Sequence, residues 1–242
     1  MGTGAVAKLA HGFIDTAWPC TNGRDRRVSS TLLRYAEADA PTEYGPCHMV
    51  VYRVKDAANP EEHIALVVGD LGTIPGNDPS AAVPFGHAAD DAPVLVRVHS
   101  ECWTGEVMRS LKCDCRDQLD QAMRTIADAG RGVVVYLRQE GRGIGLGNKV
   151  RAYALQSNGV DTVDANRILG FADDARRYDV AAAILRDLGV RRARLMTNNP
   201  LKVHGLEAGG IEVAERIAIK SEPNAHNADY LAAKAKKLGH SL

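Results

Sequence analysis

After residue 93, short apolar runs alternate with segments in which apolar residues recur every three or four positions. The apolar runs cover residues 94–98, 133–137 and 193–196. Runs of this length and composition predict strands that are buried on both faces of a sheet. Their alternation with helical segments predicts an α/β or α+β fold built around a central sheet.

Three segments of the chain have the spacing of amphipathic helices, with apolar residues on one face. They are residues 119–127, 150–157 and 180–188. Gly130 and Gly189 follow the first and the third, and glycine commonly ends a helix because it accepts the left-handed conformation. A fourth amphipathic segment covers residues 227–238.

The pattern is weaker before residue 93. Residues 49–54 and 63–68 predict strands, and residues 75–91, which contain three prolines, predict a loop. Residues 1–40 show no clean periodicity. We therefore expect an N-terminal extension over residues 1–40, ordered in part at best, and one catalytic domain over residues 41–242.

Charge and cysteine content restrict the class of protein. Thirty basic and thirty acidic residues give no formal net charge, which argues against a protein that coats nucleic acid or an anionic membrane. No apolar run approaches the roughly 18–20 residues of a membrane span. Five cysteines are an odd number at low density, which is typical of the reducing cytosol. The sequence predicts a cytoplasmic protein.

The first group of candidate functional residues consists of Cys102, Cys113 and Cys115. Three thiolates can hold a tetrahedral zinc ion and leave its fourth position open to water. The spacing alone leaves two alternatives open, namely buried inert cysteines and a structural site closed by His99. Cys20 and Cys47 share no such spacing and receive no role.

A second group, residues 138–145, follows the predicted strand 133–137 and contains three glycines with Glu140 and Arg142. Ligands of open α/β sheets bind beyond the carboxyl ends of the strands. Glycines allow backbone N–H groups to approach an anion closely. The spacing matches neither the dinucleotide fingerprint nor the P-loop. The segment predicts a ligand loop, with a simple tight turn as the alternative.

Two further segments also leave predicted strands. Asn199 and Pro200 are a suitable N-cap and first residue of a helix, and Lys202 lies in the first turn of that helix. This arrangement suits a phosphate group, although simple capping beside a solvated lysine explains the motif equally well. Residues 97–101 lead directly into Cys102. Loops of this kind at one sheet edge predict a single cleft.

Taken together, these motifs resemble GTP cyclohydrolase II, the family that opens riboflavin synthesis. The resemblance is close from residue 94 to about residue 219, looser over residues 41–93 and absent before them. It is carried by Arg97-Val-His-Ser-Glu-Cys102, Cys113-Asp-Cys115, Gln139-Glu-Gly-Arg-Gly-Ile-Gly145, Asn148-Lys149, Thr197-Asn-Asn-Pro200 and Gly239-His240.

The resemblance implies a mixed central sheet flanked by helices and an enzyme that converts GTP and water to formate, pyrophosphate and a diaminopyrimidine ribosyl phosphate. It implies zinc held by Cys102, Cys113 and Cys115, magnesium with the triphosphate, and a homodimer. The positions that match the family's GTP contacts are Arg97, Val98, His99, Ser100, Glu101, Gln118, Glu140, Gly141, Arg142, Thr162, Thr197 and Lys202.

The resemblance also implies catalytic roles for three residues. Asp174 matches the general base, Arg176 matches a nucleophile towards the α-phosphorus, and Tyr153 is the aromatic residue beside the base. Stabilisation of phosphoryl charge is an equally good role for Arg176, because an arginine with a pKa above about 12 is a poor nucleophile. Without the resemblance, Asp174 and Arg176 would be interpreted as a surface ion pair.

Two rival functions remain open at this point. One is a cyclohydrolase that releases pyrophosphate but keeps the formyl group, and the other is a GTP-binding zinc protein without turnover. The segment before residue 41 is too short for the dihydroxybutanone phosphate synthase module of riboflavin synthesis, so we expect that module to be missing.

Overall fold

A mixed β-sheet lies at the centre of the molecule in the computed structural model, which describes residues 26–27, 32–54, 61–71, 92–158, 160, 162–172 and 174–227. Within these ranges the sheet has eight strands, in the order β1-β2-β3-β4-β6-β5-β7-β8. The strands are β1 Arg26–Arg27, β2 Leu32–Thr42, β3 Gly45–Val54, β4 Glu62–Val68, β5 Val94–Ser100, β6 Gly132–Leu137, β7 Arg192–Met196 and β8 Glu212–Ile217.

The sheet has an antiparallel part and a parallel part. Strands β1 to β4 pair antiparallel in chain order, and β4 pairs antiparallel with β6. Strand β5 lies between β6 and β7 and is parallel to both, and β8 is parallel to β7. The predicted strands fall within β3 to β7, so the mixed central sheet is confirmed.

Helices flank the sheet as predicted. They are α1 Trp103–Glu106, α2 Cys115–Ala129, α3 Leu146–Ser157, α4 Thr162–Ile168, α5 Asp179–Asp187 and α6 Pro200–Ala208, with a 3₁₀ turn at Glu140–Gly143. Gly130 and Gly189 end α2 and α5 in the left-handed conformation, with φ of 68° and 78°. Asn199 caps α6 by accepting a hydrogen bond from the Leu201 backbone N–H at 2.9 Å.

Successive residues of the central strands point to opposite faces of the sheet. In β5, Val96 packs into the apolar cluster that contains α5, whereas Leu95 packs into the cluster that contains α2. Both faces are therefore covered by helices, which explains why β5 and β6 are buried along almost their whole length.

The sheet begins before the predicted domain boundary. Leu32 and Leu33 are buried in β2, and that strand runs across the boundary between residues 40 and 41. Most of the following residues of β2 are exposed or half-buried, so the strand shows no alternation that the sequence could reveal. The loop predicted for residues 75–91 and the helix predicted for residues 227–238, apart from Asn227, lie outside the described residues.

Among the helices of the described ranges, none has both the length and the apolar composition of a membrane span.

Candidate active site

One cleft lies at the carboxyl ends of β5, β6 and β7, where the loops after these parallel strands meet. Every predicted site residue lines it except Val98, Asp174 and Thr162. The side chain of Thr162 lies outside the described part of the chain. The three loops converge because the three strands point the same way within one sheet.

The three predicted zinc ligands lie together in this cleft. The Sγ atoms of Cys102, Cys113 and Cys115 are all within 4.8 Å of one another, and those of Cys102 and Cys113 are 3.6 Å apart. Sulfurs bound at about 2.3 Å to one tetrahedral zinc ion lie roughly 3.8 Å apart, whereas a disulfide requires about 2.05 Å. The cluster therefore fits a metal ion, and its chemistry suggests zinc.

Gly105 keeps open the space beside these sulfurs. A Cβ added there would lie 2.8 Å from the Cys113 Sγ and 3.2 Å from the Cys102 Sγ. Cys102 precedes α1 directly, and Cys115 is the first residue of α2, so two short segments of backbone fix all three thiols.

His99 is buried and engaged away from the sulfurs. Its Nε2 is 2.8 Å from the Glu106 Oε1, and its Nδ1 is 3.4 Å from the Arg97 Nη2. Burial lowers the pKa of His99 to about 4, so the ring is neutral near pH 7. This geometry does not support the alternative in which His99 closes a four-ligand structural site, and an open fourth position on the metal stays a prediction.

The cysteine cluster favours a thiolate at Cys102. The hydrogen bonds of Cys102 with Cys113 and Cys115 lower the pKa of Cys102, and Lys149 lowers it further. Burial acts to lower the pKa of Lys149, but Cys102 and Glu140 outweigh burial and raise it. Lys149 therefore remains a cation beside the sulfur.

The predicted ligand loop has an unusual backbone. Gly141 and Arg142 both have left-handed φ values, 63° and 64°, and such a conformation is strained for arginine. The Arg142 carbonyl accepts a hydrogen bond at 3.1 Å from the Ala175 N–H, which ties the loop to the segment that carries Asp174 and Arg176. Binding of a ligand by this loop stays a prediction.

Glu140 organises this loop from within. Its Oε2 accepts a hydrogen bond from the Trp103 backbone N–H at 2.6 Å. Its Oε1 accepts hydrogen bonds from Lys149 Nζ at 2.8 Å and from the Gly141 N–H at 2.7 Å. A carboxylate has about four acceptor positions, so these bonds leave about one for a ligand.

Asp174 and Arg176 form a two-pronged ion pair. Arg176 donates from Nε to the Asp174 Oδ1 at 2.8 Å and from Nη2 to Oδ2 at 2.5 Å. The side chains are only 12% and 10% exposed for Arg176 and Asp174, so the surface ion pair expected without the resemblance is wrong. Burial raises the pKa of Asp174, but the bonds and charge of Arg176 outweigh it and lower the pKa overall.

Several predicted GTP contacts also hold the cleft together. Lys202 is buried and donates from Nζ to the Val98 carbonyl at 2.7 Å, so Val98 takes part through its backbone. Arg97 donates to the Met196 carbonyl at 2.9 Å and to the Gln118 Oε1 at 2.7 Å. Thr197 accepts a hydrogen bond from the Asn199 N–H.

Two guanidinium groups retain unused donors. The Nε of Arg97 and the Nη1 of Arg142 are buried and have no hydrogen-bond partner within the part of the chain that the structure describes. Buried donors of this kind normally find a partner, so an anionic ligand in the cleft would satisfy them.

The remaining predicted residues lie around the cleft. The Ser100 Oγ accepts a hydrogen bond from Gln139 Nε2 at 3.1 Å, and the Glu101 carboxylate is 3.7 Å from Arg138 Nε. The Tyr153 hydroxyl is 3.4 Å from the Thr104 Oγ1, close to the cysteine cluster. A position for Tyr153 beside Asp174 stays a prediction.

Sequence reasoning missed Glu106. Its carboxylate is bonded to His99 and accepts hydrogen bonds from the Cys102 N–H at 3.0 Å and from the Tyr136 hydroxyl at 2.6 Å. Glu106 lies four residues after Cys102, one more than the capping-box spacing, so that motif gave no signal for the contact to the backbone. The contacts with His99 and Tyr136 join separate strands and left no local signal.

Comparison with known proteins places this fold and cleft in a class of nucleotide-processing enzymes. The family model described as GTP cyclohydrolase II matches residues 33–218. The chain belongs to the GTP cyclohydrolase II family.

Individual relatives agree with this assignment. The chain is 48% identical over 213 residues to a protein named GTP cyclohydrolase-2 from Histophilus somni (strain 2336), covering 88% of this chain and 90% of that protein. It is 49% identical over 216 residues to a riboflavin biosynthesis protein RibBA from Chlorobium phaeovibrioides, covering 89% of this chain. The chain spans only about half of that relative, 48% of its length.

A solved structure also matches. It is that of RibBX from A. baumannii, described as a two domain 3,4-dihydroxy-2-butanone 4-phosphate synthase. The match has a TM-score of 0.43 and 22% identity, and it covers 80% of this chain and 41% of that chain.

Proposed function

We propose that this chain hydrolyses GTP to formate, pyrophosphate and a diaminopyrimidine ribosyl phosphate, the first step of riboflavin synthesis. One observation carries the proposal beyond family membership. A single cleft contains both a three-thiol metal site and a group of cationic side chains that suits a triphosphate. The two parts of the reaction, ring opening and loss of pyrophosphate, require these two kinds of site.

Cys102, Cys113 and Cys115 would hold the zinc ion. When bound, zinc supplies Lewis acidity and lowers the pKa of a water molecule towards neutrality. His99 stays neutral and keeps Glu106 occupied, so neither group competes for the open position. Magnesium would accompany the triphosphate, because Mg²⁺ prefers hard oxygen ligands such as those of phosphate groups.

Arg97, Arg142, Arg176 and Lys202 would bind the phosphates. Support comes from the unused buried donors of Arg97 and Arg142, which an anion would satisfy. Arg176 is bonded through two nitrogens to a carboxylate, which keeps the guanidinium protonated. This arrangement favours charge stabilisation at the α-phosphorus over nucleophilic attack as the role of Arg176.

Asp174 would act as the general base once Arg176 engages the phosphate. While the two side chains are paired, Arg176 keeps the pKa of Asp174 low, and a carboxylate with a low pKa is a weak base. Transfer of Arg176 contacts to a phosphate would raise the pKa of Asp174 towards a useful value. Base strength would thus depend on substrate binding.

We also propose a cytoplasmic homodimer. The cysteines among the described residues form no disulfide, which suits a reducing compartment. Val107, Met108 and Leu111 are apolar and largely exposed, and such a group suits contact with a second copy.

The decisive test is incubation of the purified protein with GTP and magnesium, with formate and pyrophosphate measured separately. We expect both products in equal amounts. Pyrophosphate without formate would identify the variant that keeps the formyl group. Binding of GTP with neither product would contradict the enzyme and support the non-catalytic alternative.

Base specificity is tested with ATP in the same assay. The remaining acceptor position of Glu140 can accept a hydrogen bond from one N–H at the edge of guanine, where adenine presents a ring-nitrogen acceptor instead. We expect ATP to be a poor substrate. Equal turnover of ATP and GTP would contradict recognition of guanine by Glu140.

A further inference from the structure

Lys149 lies between two parts of the site, the cysteine cluster and the ligand loop, whose proposed roles are separate. Its Nζ is 3.1 Å from the Cys102 Sγ and 2.8 Å from the Glu140 Oε1. The side chain is 13% exposed. The same ammonium group therefore contacts a proposed metal ligand and the residue that organises the ligand loop.

The backbone is built to allow this approach. Lys149 lies in the first turn of α3, directly after the ligand loop. A Cβ added at Gly141 would lie 3.1 Å from the Lys149 Cβ, which is closer than ordinary packing. The absence of a side chain at Gly141 lets α3 and the loop come together.

The charge of the metal site calls for such a cation. Three thiolates around a divalent ion carry a net charge of about −1, and a buried anion without a partner is costly. A hydrogen bond from an ammonium group to one thiolate offsets this charge and withdraws electron density from the sulfur. Partners of this kind orient metal ligands and tune the metal.

We propose that Lys149 is a positioning residue that holds the Cys102 thiolate and the Glu140 carboxylate in one geometry, and so couples the metal site to the ligand loop. The inference rests on the proposed metal site. It concerns the ground-state protein, so it is testable without substrate.

The test uses the protein with cobalt in place of zinc, because cobalt gives a thiolate-to-metal absorption band that reports on the sulfur. Lys149→Met removes the hydrogen bond, makes the sulfur richer in electrons and should move this band to longer wavelength. Zinc affinity, measured by competition with a chelator, should fall by about 10–100-fold. Arg151→Met is the matched control, since Arg151 is exposed on the same helix and contacts Asn148.

Glu140→Gln gives the opposite readout. The neutral amide no longer competes for the charge of Lys149, so the hydrogen bond to Cys102 should strengthen and the cobalt band should move to shorter wavelength. A role in packing alone predicts no such pair of opposite shifts. The apparent KM for GTP should rise in Lys149→Met, because Glu140 loses one of its three donors.

The outcomes separate this inference from the proposed function. Wild-type protein that binds cobalt, with an unchanged band in Lys149→Met and Glu140→Gln, would overturn the role of Lys149 and leave the metal site standing. Wild-type protein that binds neither cobalt nor zinc would overturn both. If the wild-type protein does not turn over GTP while the variants show the predicted spectral shifts, only the proposed function is overturned.

Discussion

At the scale of single residues, His99 and the cysteines have different expected effects although they are close neighbours. Cys102→Ser, Cys113→Ser or Cys115→Ser should each lose zinc and formate release, because each removes a sulfur from a cluster of three. His99→Ala should keep zinc, since both ring nitrogens face Glu106 and Arg97. Metal analysis after gel filtration is the measurement. Loss of zinc in His99→Ala equal to that in the cysteine variants would make His99 a ligand.

Arg176 and Asp174 form a second pair of residues whose variants assign roles. Arg176→Ala should abolish pyrophosphate release and also lower thermal stability, because it leaves the Asp174 carboxylate buried without its main partner. Asp174→Asn should lower turnover by about 10²–10⁴-fold, as for loss of a general base. Arg176→Lys is the control that keeps the charge but not the two-pronged contact.

The readout for this pair is the parallel release of pyrophosphate and formate at saturating GTP, with zinc content as a check on folding. Normal pyrophosphate release by Arg176→Ala would exclude both the nucleophile and the charge-stabiliser roles. Partial activity in Arg176→Lys would show that a cation without the two-pronged contact is sufficient for part of the reaction.

At the scale of elements, the ligand loop requires glycine at residue 143, whereas Gly147 in the next helix is not constrained in this way. Gly143 has a φ of 90°, and an added Cβ would lie 3.0 Å from the Ala175 carbonyl oxygen. Gly143→Ala should therefore lower stability by about 1–3 kcal/mol and weaken the tie to the Asp174 and Arg176 segment. Turnover should fall and the apparent KM should rise.

Gly147→Ala is the matched control, because Gly147 lies in α3 and an added Cβ meets nothing within 4 Å. It should fold as well as the parent or gain up to about 1 kcal/mol from better helix propensity. Urea unfolding and GTP kinetics on both variants provide the comparison. Equal behaviour of the two alanine variants would show that the loop geometry is not constrained at residue 143.

The elements that the sequence could predict are those with a periodic apolar face and a clear end. Helix α2 has buried residues at helical spacing, almost all of α5 is buried, and left-handed glycines follow both, so composition and spacing were sufficient. Strand β2 escaped prediction because it exposes most of its length and takes its place through pairing with β3. Pairing partners distant in sequence leave no local pattern.

The same distinction holds for the site. The cysteines, the ligand loop and Lys202 could be predicted because they follow the ends of predicted strands and match motifs of the GTP cyclohydrolase II family. The roles of Glu106 and Lys149 could not, because each depends on contacts that the folded sheet creates between separate segments. Only the hydrogen-bond geometry shows which acceptor positions of Glu140 are used within the protein and which one remains for a ligand.

At the scale of the whole molecule, a buried ion pair joins the antiparallel part of the sheet to the helix that follows the catalytic segment. Arg34 of β2 donates from Nε at 2.8 Å and from Nη2 at 2.5 Å to the Asp187 Oδ2 at the end of α5, 153 positions away in sequence. The Tyr52 hydroxyl donates to the same oxygen at 2.7 Å. Strands β2 and β3 are thus fixed to α5, which begins at Asp179, three residues after Arg176.

Arg34→Met should therefore cost about 3–5 kcal/mol, because removal of one partner leaves a buried charge uncompensated. Glu62→Gln is the control: it breaks the pair with Arg53, which water screens, and should cost far less than Arg34→Met. Urea unfolding followed by circular dichroism measures both, and GTP turnover below the unfolding transition shows whether the effect reaches the site. Equal losses in the two variants would mean that the Arg34–Asp187 pair does not unite the two parts of the sheet. Adding Asp187→Asn to Arg34→Met should recover part of the lost stability, because the buried carboxylate is then replaced by a neutral amide.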